Sequence, residues 1–331
     1  MIPSLLEWIM GFMQRVRDIW QLVRGGNLVF IAILLWAMEK WVAVPVLWQW
    51  RFEEQLPWWL LLLLILATVL VAAGGYVVND YFDVKIDRIN RPDKLIVTQS
   101  VSKDAAMWLS TGLSAAGVLC GLAAAWVCRS WSLATIFVLV PGLLWFYSSS
   151  YKRLFLIGNL VVALTTALTP LLVALANVSL MQVRYANLMQ FTNVPHDLYA
   201  WMCGFALFAF LCTLIREIIK DLQDQMGDRE LECHTLPIRF GEVWAKVVVT
   251  LLLLLTIGMI GYAWYAWLPF PREWGTLSTR YIVFGLLTPL VCELVLLWTA
   301  KIPSDYRTAQ LLMKFVMFMG VLYSFVVARG L

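Results

Sequence analysis

Charge is scarce in this sequence. Only 14% of its 331 residues are Asp, Glu, Lys or Arg, 62% are hydrophobic, and the mean hydropathy is +0.78. A soluble domain carries about a quarter charged residues, so the shortage excludes an ordinary water-soluble globule. The net charge of +4 is too small for a nucleic-acid-binding surface. Histidine is nearly absent, and His196 and His234 stand too far apart for a histidine metal centre. The six cysteines (Cys120, Cys128, Cys203, Cys212, Cys233, Cys292) form no CxxC pair, and most lie inside apolar runs. That excludes a zinc knuckle or disulfide frame and predicts small buried hydrophobes. The apolar runs are continuous rather than alternating, which excludes a membrane β-barrel. A secretory signal is missing too: the N-terminus has no basic stretch followed by an apolar core and a small-residue cleavage site.

What is present is apolar length. About 20 apolar residues cross a bilayer as a helix, and backbone in lipid must pair with itself. Nine stretches qualify, near 27–48, 57–79, 107–128, 132–149, 154–180, 199–219, 243–267, 280–300 and 308–328. The expected fold is an all-α, polytopic bundle of nine transmembrane helices around a central cavity. Residues 1–26 read as a retained amphipathic helix on the membrane surface, and 27–331 as a single transmembrane domain. Lys and Arg divide 17 to 6 between alternate loops, which puts the N-terminus inside and the C-terminus outside. Trp48, Trp50, Trp58 and Trp59 fit the interfacial belt. Glu39 and Lys40, inside the first span, are expected to pair with each other facing the bundle.

This topology brings the cytoplasmic ends of the second and sixth spans to one face. The second ends in "NDYFDVKID", the sixth in "REIIKDLQDQMGD". Asp80, Asp83 and Asp87 stand at i, i+3 and i+7, and so do Asp221, Asp224 and Asp228. At about 100° per residue each triplet falls within about 60° of arc, one acidic stripe on a persistent helix. Like charges at this spacing repel unless cations lie between them. Oxygen-only ligands favour Mg²⁺, which binds through one or two carboxylates together with substrate phosphates. Lys94, Lys152, Arg153, Arg216, Lys220 and Arg229 flank the acids, the company a diphosphate requires. Acids at a membrane end are ordinarily solvated charges at headgroup level; two matched, base-flanked triplets on one face do not fit that account.

The residues resemble the UbiA-type intramembrane prenyltransferases. Asn79-Asp80-Tyr81-Phe82-Asp83-Val84-Lys85-Ile86-Asp87 matches that family's N-D-x-x-D-x-x-x-D, and Asp224 with Asp228 matches its later D-x-x-x-D. Tyr147, Ser148, Lys152, Gly158 and Asn159 are similar to its Tyr-Ser…Lys…Gly-Asn stretch, and Arg24 with Asn27 to its opening Arg…Asn. The run Arg216 to Asp221, Gly227-Asp228 and Thr235 to Pro237 looks most like members that prenylate glyceryl phosphates. After the first motif the chain departs: Lys94 replaces an arginine, Leu95 a proline, and Glu232 to His234 a small-residue stretch.

The resemblance implies Mg²⁺-dependent transfer of a polyprenyl group, geranylgeranyl or longer, from its diphosphate to a membrane-associated acceptor. A glyceryl phosphate ether-lipid precursor is the acceptor implied; a quinone-, chlorophyll- or heme-type aromatic is the alternative. The catalytic carboxylates would be Asp80, Asp83, Asp87, Asp221, Asp224 and Asp228, with Asp80, Asp83, Asp224 and Asp228 on the metal. Asn27, Asn79, Lys94, Tyr147, Lys152, Arg216 and Lys220 would bind the diphosphate or the prenyl chain. A transporter using the same aspartates for cations is the rival class, but transporters place charge nearer the bilayer midplane, in broken helices.

Overall fold

The computed structural model describes residues 5–90, 92, 95–267 and 272–331. Among the described residues the chain is helical almost throughout, and the only extended pairing is an isolated bridge between Val97 and Val101. Among the described residues nine helices are long and apolar enough to cross a membrane: Gly25–Gln49, Trp58–Asn90, Lys103–Cys128, Trp131–Ser149, Ile157–Tyr185, Val194–Gln223, Glu242–Ala266, Gly275–Thr299 and Pro303–Gly330. They correspond one to one with the nine stretches read from hydropathy. Before them, Leu5–Leu22 forms a separate helix, and Arg24 makes the turn into the first span with a left-handed φ of 52°.

The second span differs in length, and the difference matters. Its apolar run ends at Val78, but the helix continues through Asn90 for 33 residues in all. At 1.5 Å per residue that is about 50 Å, well beyond a hydrocarbon core of about 30 Å. Nothing in "NDYFDVKIDRIN" breaks a helix; the first proline is Pro92. Asp80, Asp83 and Asp87 therefore share one unbroken helix. The sixth span behaves otherwise. It stops at Gln223, Asp224 adopts φ −95° and ψ 11°, and a short helix, Gln225–Glu230, follows. The single straight stripe expected for Asp221, Asp224 and Asp228 is thus divided by a break at Asp224.

Two apolar cores hold the bundle. One joins the first six spans around Leu35, Met38, Leu64, Leu133, Met181 and Met202; the other joins the fifth to ninth around Ile215, Ile218, Leu253, Leu290 and Met313. A smaller cluster fastens Leu22, at the end of the N-terminal helix, to Val77 and Val84 on the second span. Glu39 and Lys40 do not pair with each other. They lie in a π-helical turn, Glu39–Ala43, where the wider winding turns them to different neighbours. Buried Glu39 accepts from Asn177 Nδ2 at 2.6 Å, while Lys40 reaches Glu54. The cysteines also diverge from expectation. Cys128, Cys212 and Cys233 are buried, but Cys203 and Cys292 lie on the outer surface of the bundle.

Candidate active site

The end of the bundle that carries the acidic segments holds an open, mostly polar cavity. The second span contributes Asn79, Asp83, Ile86 and Asp87; the sixth contributes Glu217, Lys220 and Asp221. Asp224, Asp228, Cys233 and Thr235 close it from the loop beyond, with Tyr147, Lys152, Gly158 and Asn159 from the fourth and fifth spans and their connection. Arg24 completes the wall from the turn before the first span.

Four of the acids, Asp83, Asp221, Asp228 and Glu217, are held by specific neighbours. Asn79 Nδ2 donates to Asp83 Oδ2 at 2.8 Å, and Lys152 makes an ion pair with the other oxygen. Asn159 Nδ2 donates to Asp221 Oδ2 at 2.8 Å, and Thr235 Oγ1 donates to Asp228 Oδ2 at 3.2 Å. Glu217 is only 5% exposed and pairs with Arg216 and, at 3.5 Å, with Lys220. Lys152 comes from the short turn Tyr151–Arg153, which packs on the start of the fifth span at Gly158. A Cβ at Gly158 would stand 2.7 Å from the Lys152 Cα, so glycine is what lets this turn approach.

Carboxylates outnumber bases in the cavity: Asp83, Asp87, Glu217, Asp221, Asp224 and Asp228 stand against Arg24, Lys152 and Lys220. Burial, with the nearby Asp224 carboxylate, pushes the Asp228 carboxyl up to about 6, against the Thr235 hydrogen bond. Burial also lowers the Lys152 ammonium below its ordinary value, against the Asp83 carboxylate that favours its charge. Among the described residues no three of His, Cys, Asp and Glu stand close enough to cage a metal on their own. That fits Mg²⁺, which keeps most of its shell for water and substrate phosphate and takes one or two protein carboxylates.

Of the residues singled out in the sequence, Asn79, Asp83, Asp87, Tyr147, Lys152, Lys220, Asp221, Asp224 and Asp228 line this one cavity. Asp80, Asn27 and Arg216 stand behind it. Asp80 accepts from Arg24 Nη2 at 2.9 Å instead of facing the cavity, Asn27 meets the Tyr76 hydroxyl at 3.4 Å, and Arg216 lies on Glu217. Lys94 lies outside the described residues. Two residues were not singled out. Glu217 had a signal, a carboxylate inside an apolar helix between Arg216 and Lys220. Asn90 had one too, because it extends the stripe of Asp80, Asp83 and Asp87 by three residues.

Known proteins resemble this chain in sequence and in fold. The chain is 32% identical over 254 residues to the digeranylgeranylglyceryl phosphate synthase of Thermococcus kodakarensis, covering 75% of this chain and 78% of that protein. It is 32% identical over 249 residues to the enzyme of the same name from Methanopyrus kandleri, covering 75% and 80%. Among solved structures, a digeranylgeranylglyceryl phosphate synthase superposes with a TM-score of 0.61 at 20% identity, over 94% of this chain and 99% of that one. A UbiA homolog from Archaeoglobus fulgidus bound to GPP and Mg²⁺ superposes with a TM-score of 0.54 at 13% identity, over 93% and 99%. The UbiA prenyltransferase family model matches residues 28–325, and with relatives above 30% identity over most of their length, the chain belongs to the UbiA prenyltransferase family.

Proposed function

We propose that this chain transfers a geranylgeranyl or longer polyprenyl group from its diphosphate to a glyceryl phosphate ether-lipid precursor, with Mg²⁺. One observation carries the reading: two acidic segments, Asp83 with Asp87 and Asp221 with Asp224 and Asp228, face one cavity that also holds Lys152, Lys220 and Arg24. The relatives aligned over three quarters of the chain support the choice of acceptor. The 17 to 6 division of Lys and Arg supports a cytoplasmic N-terminus and a cytoplasmic cavity mouth.

Asp83 and Asp87 on one side, and Asp224 and Asp228 on the other, are the residues that would hold Mg²⁺ together with diphosphate oxygens. The ion supplies neutralisation of the diphosphate as it leaves with the bonding electrons. Lys152, Lys220 and Arg24 line the cavity and take up the remaining negative charge. Asn79 and Asn159 fix the carboxylates of Asp83 and Asp221 so that little reorganisation is needed. Glu217 holds Lys220 in place. The C1–O bond to diphosphate breaks, a bond from C1 to the acceptor hydroxyl oxygen forms, and the hydroxyl proton is released. Tyr147 lines the cavity, where its ring can face an allylic cation, worth about 0.5 to 2 kcal/mol.

The test is a transfer assay on the purified protein with radiolabelled geranylgeranyl diphosphate. Geranylgeranylglyceryl phosphate and a panel of aromatic acceptors are offered with and without Mg²⁺. The expected result is Mg²⁺-dependent product with the glyceryl phosphate. Product only with an aromatic would reassign the acceptor. No product with any acceptor, together with ion flux in liposomes, would overturn prenyl transfer.

A further inference from the structure

Two carboxylate sets that repel each other need something to fix their separation. Asp83 and Asp87 ride on a helix of 33 residues. Asp224 and Asp228 sit at the start and within a helix of six, too short to hold its shape unaided. That short helix has no side-chain cap of its own: Asp224 occupies the capping position without making the bond. Its cap comes from another part of the chain.

Asn90, the last residue of the second-span helix, reaches across with both ends of its amide. Its Oδ1 accepts from the Gly227 N–H at 3.0 Å, and its Nδ2 donates to the Asp224 carbonyl at 3.3 Å. Only a carboxamide both accepts and donates here; an aspartate would turn a second oxygen on a carbonyl oxygen. Gly227 is the matching half. A Cβ there would lie 2.6 Å from Asn90 Nδ2 and 2.7 Å from Oδ1, inside any tolerated contact. We propose that Asn90 and Gly227 form a latch that sets the distance between the two acidic segments, with Asn90 a positioning residue for the metal and diphosphate. Asn90 itself does not line the cavity; it follows Asp87 by three residues on the same helix face and grips the backbone of Asp224 and of the neighbour of Asp228.

The role assigned to the latch rests on the transfer reaction proposed above, so the test has an arm that needs no catalysis. Hydrogen exchange read by mass spectrometry on metal-free protein reports directly on the amides of 225–230. Asn90→Ala should speed exchange in this segment about tenfold, the effect of losing about one net hydrogen bond. The second arm is a double-mutant cycle read as the Mg²⁺ concentration giving half-maximal transfer. Asn90→Ala and Gly227→Ala should each raise it about tenfold, the first by removing the latch and the second by forcing it open. In the double variant the added Cβ finds the space that Asn90 vacated. The combined shift should therefore stay near that of Asn90→Ala alone, and this recovery also shows that Gly227→Ala did not merely misfold. Unchanged exchange in Asn90→Ala, or shifts that multiply in the double variant, would overturn the latch. A wild-type protein without Mg²⁺-dependent product would count against the reaction, and the exchange arm would still decide the latch.

Discussion

At the scale of single residues, the cavity separates acids by what holds them. Asp83 is oriented by Asn79 and neutralised by Lys152, whereas Asp80, one turn earlier, pairs with Arg24 of the cavity wall. Asp83→Ala and Asp224→Ala should therefore each reduce turnover by about 10³-fold or more while the protein still melts cooperatively in detergent. Asp80→Asn should cost less, since it acts through Arg24. Retained activity in both alanine variants would remove these carboxylates from the reaction. Glu217 calls for a different measurement. It is buried against Arg216, which reaches it through Nη2, and against Lys220, and among the described residues the buried Arg216 Nε has no hydrogen-bond partner. Removing one member of such a group leaves buried charge uncompensated, at about 3 kcal/mol or more. Glu217→Ala should lower the melting temperature by roughly 5 to 10 °C, and a fall under about 2 °C would show that the charges do not depend on it.

At the scale of elements, what matters is that the second span keeps its helical phase past the membrane. Inserting one alanine after Val84 rotates Asp87 and Asn90 by about 100° away from the cavity while leaving Asn79 and Asp83 in place. Because the inserted turn lies beyond the main apolar cores, the melting temperature should move little, yet Mg²⁺-dependent transfer should be lost. Wild-type turnover would mean that Asp87 and the helix end are dispensable. Apolar length alone ended this span near 79; its continuation to Asn90 follows from the lack of any helix breaker in 79–90, which the spacing of the aspartates only made conditional. The break at Asp224 was not readable in the same way. No glycine or proline stands at 224; past the break the Gly227 N–H donates to Asn90 Oδ1 rather than back along the helix, a tertiary partner that local sequence does not reveal. The π turn at Glu39–Ala43 escaped for the same reason, since its winding is fixed by what Glu39 and Lys40 meet across the bundle. Gly158 illustrates the opposite case, a motif residue whose purpose only the packing of the 151–153 turn explains.

At the scale of the whole molecule, nine spans follow from apolar length alone, because lipid leaves the backbone no alternative to helices. The meeting of the two acidic segments follows from the parity of those spans: helices two and six both end on the same side, whatever that side is. Parity cannot say which side faces the cytoplasm; only the uneven loop charge can, and it is a bias in insertion rather than a contact in the fold. The orientation is therefore a separate prediction with its own test. A fluorescent protein fused after Phe240, in the loop between the sixth and seventh spans, should fluoresce in the cytoplasm. Alkaline phosphatase fused after Leu331 should be active on the far side. The odd number of crossings makes the pair decisive. Active phosphatase at residue 240 would invert the bundle and put the cavity mouth outside, away from a cytoplasmic supply of diphosphate. Both reporters signalling the same side would mean that one of the last three helices does not cross.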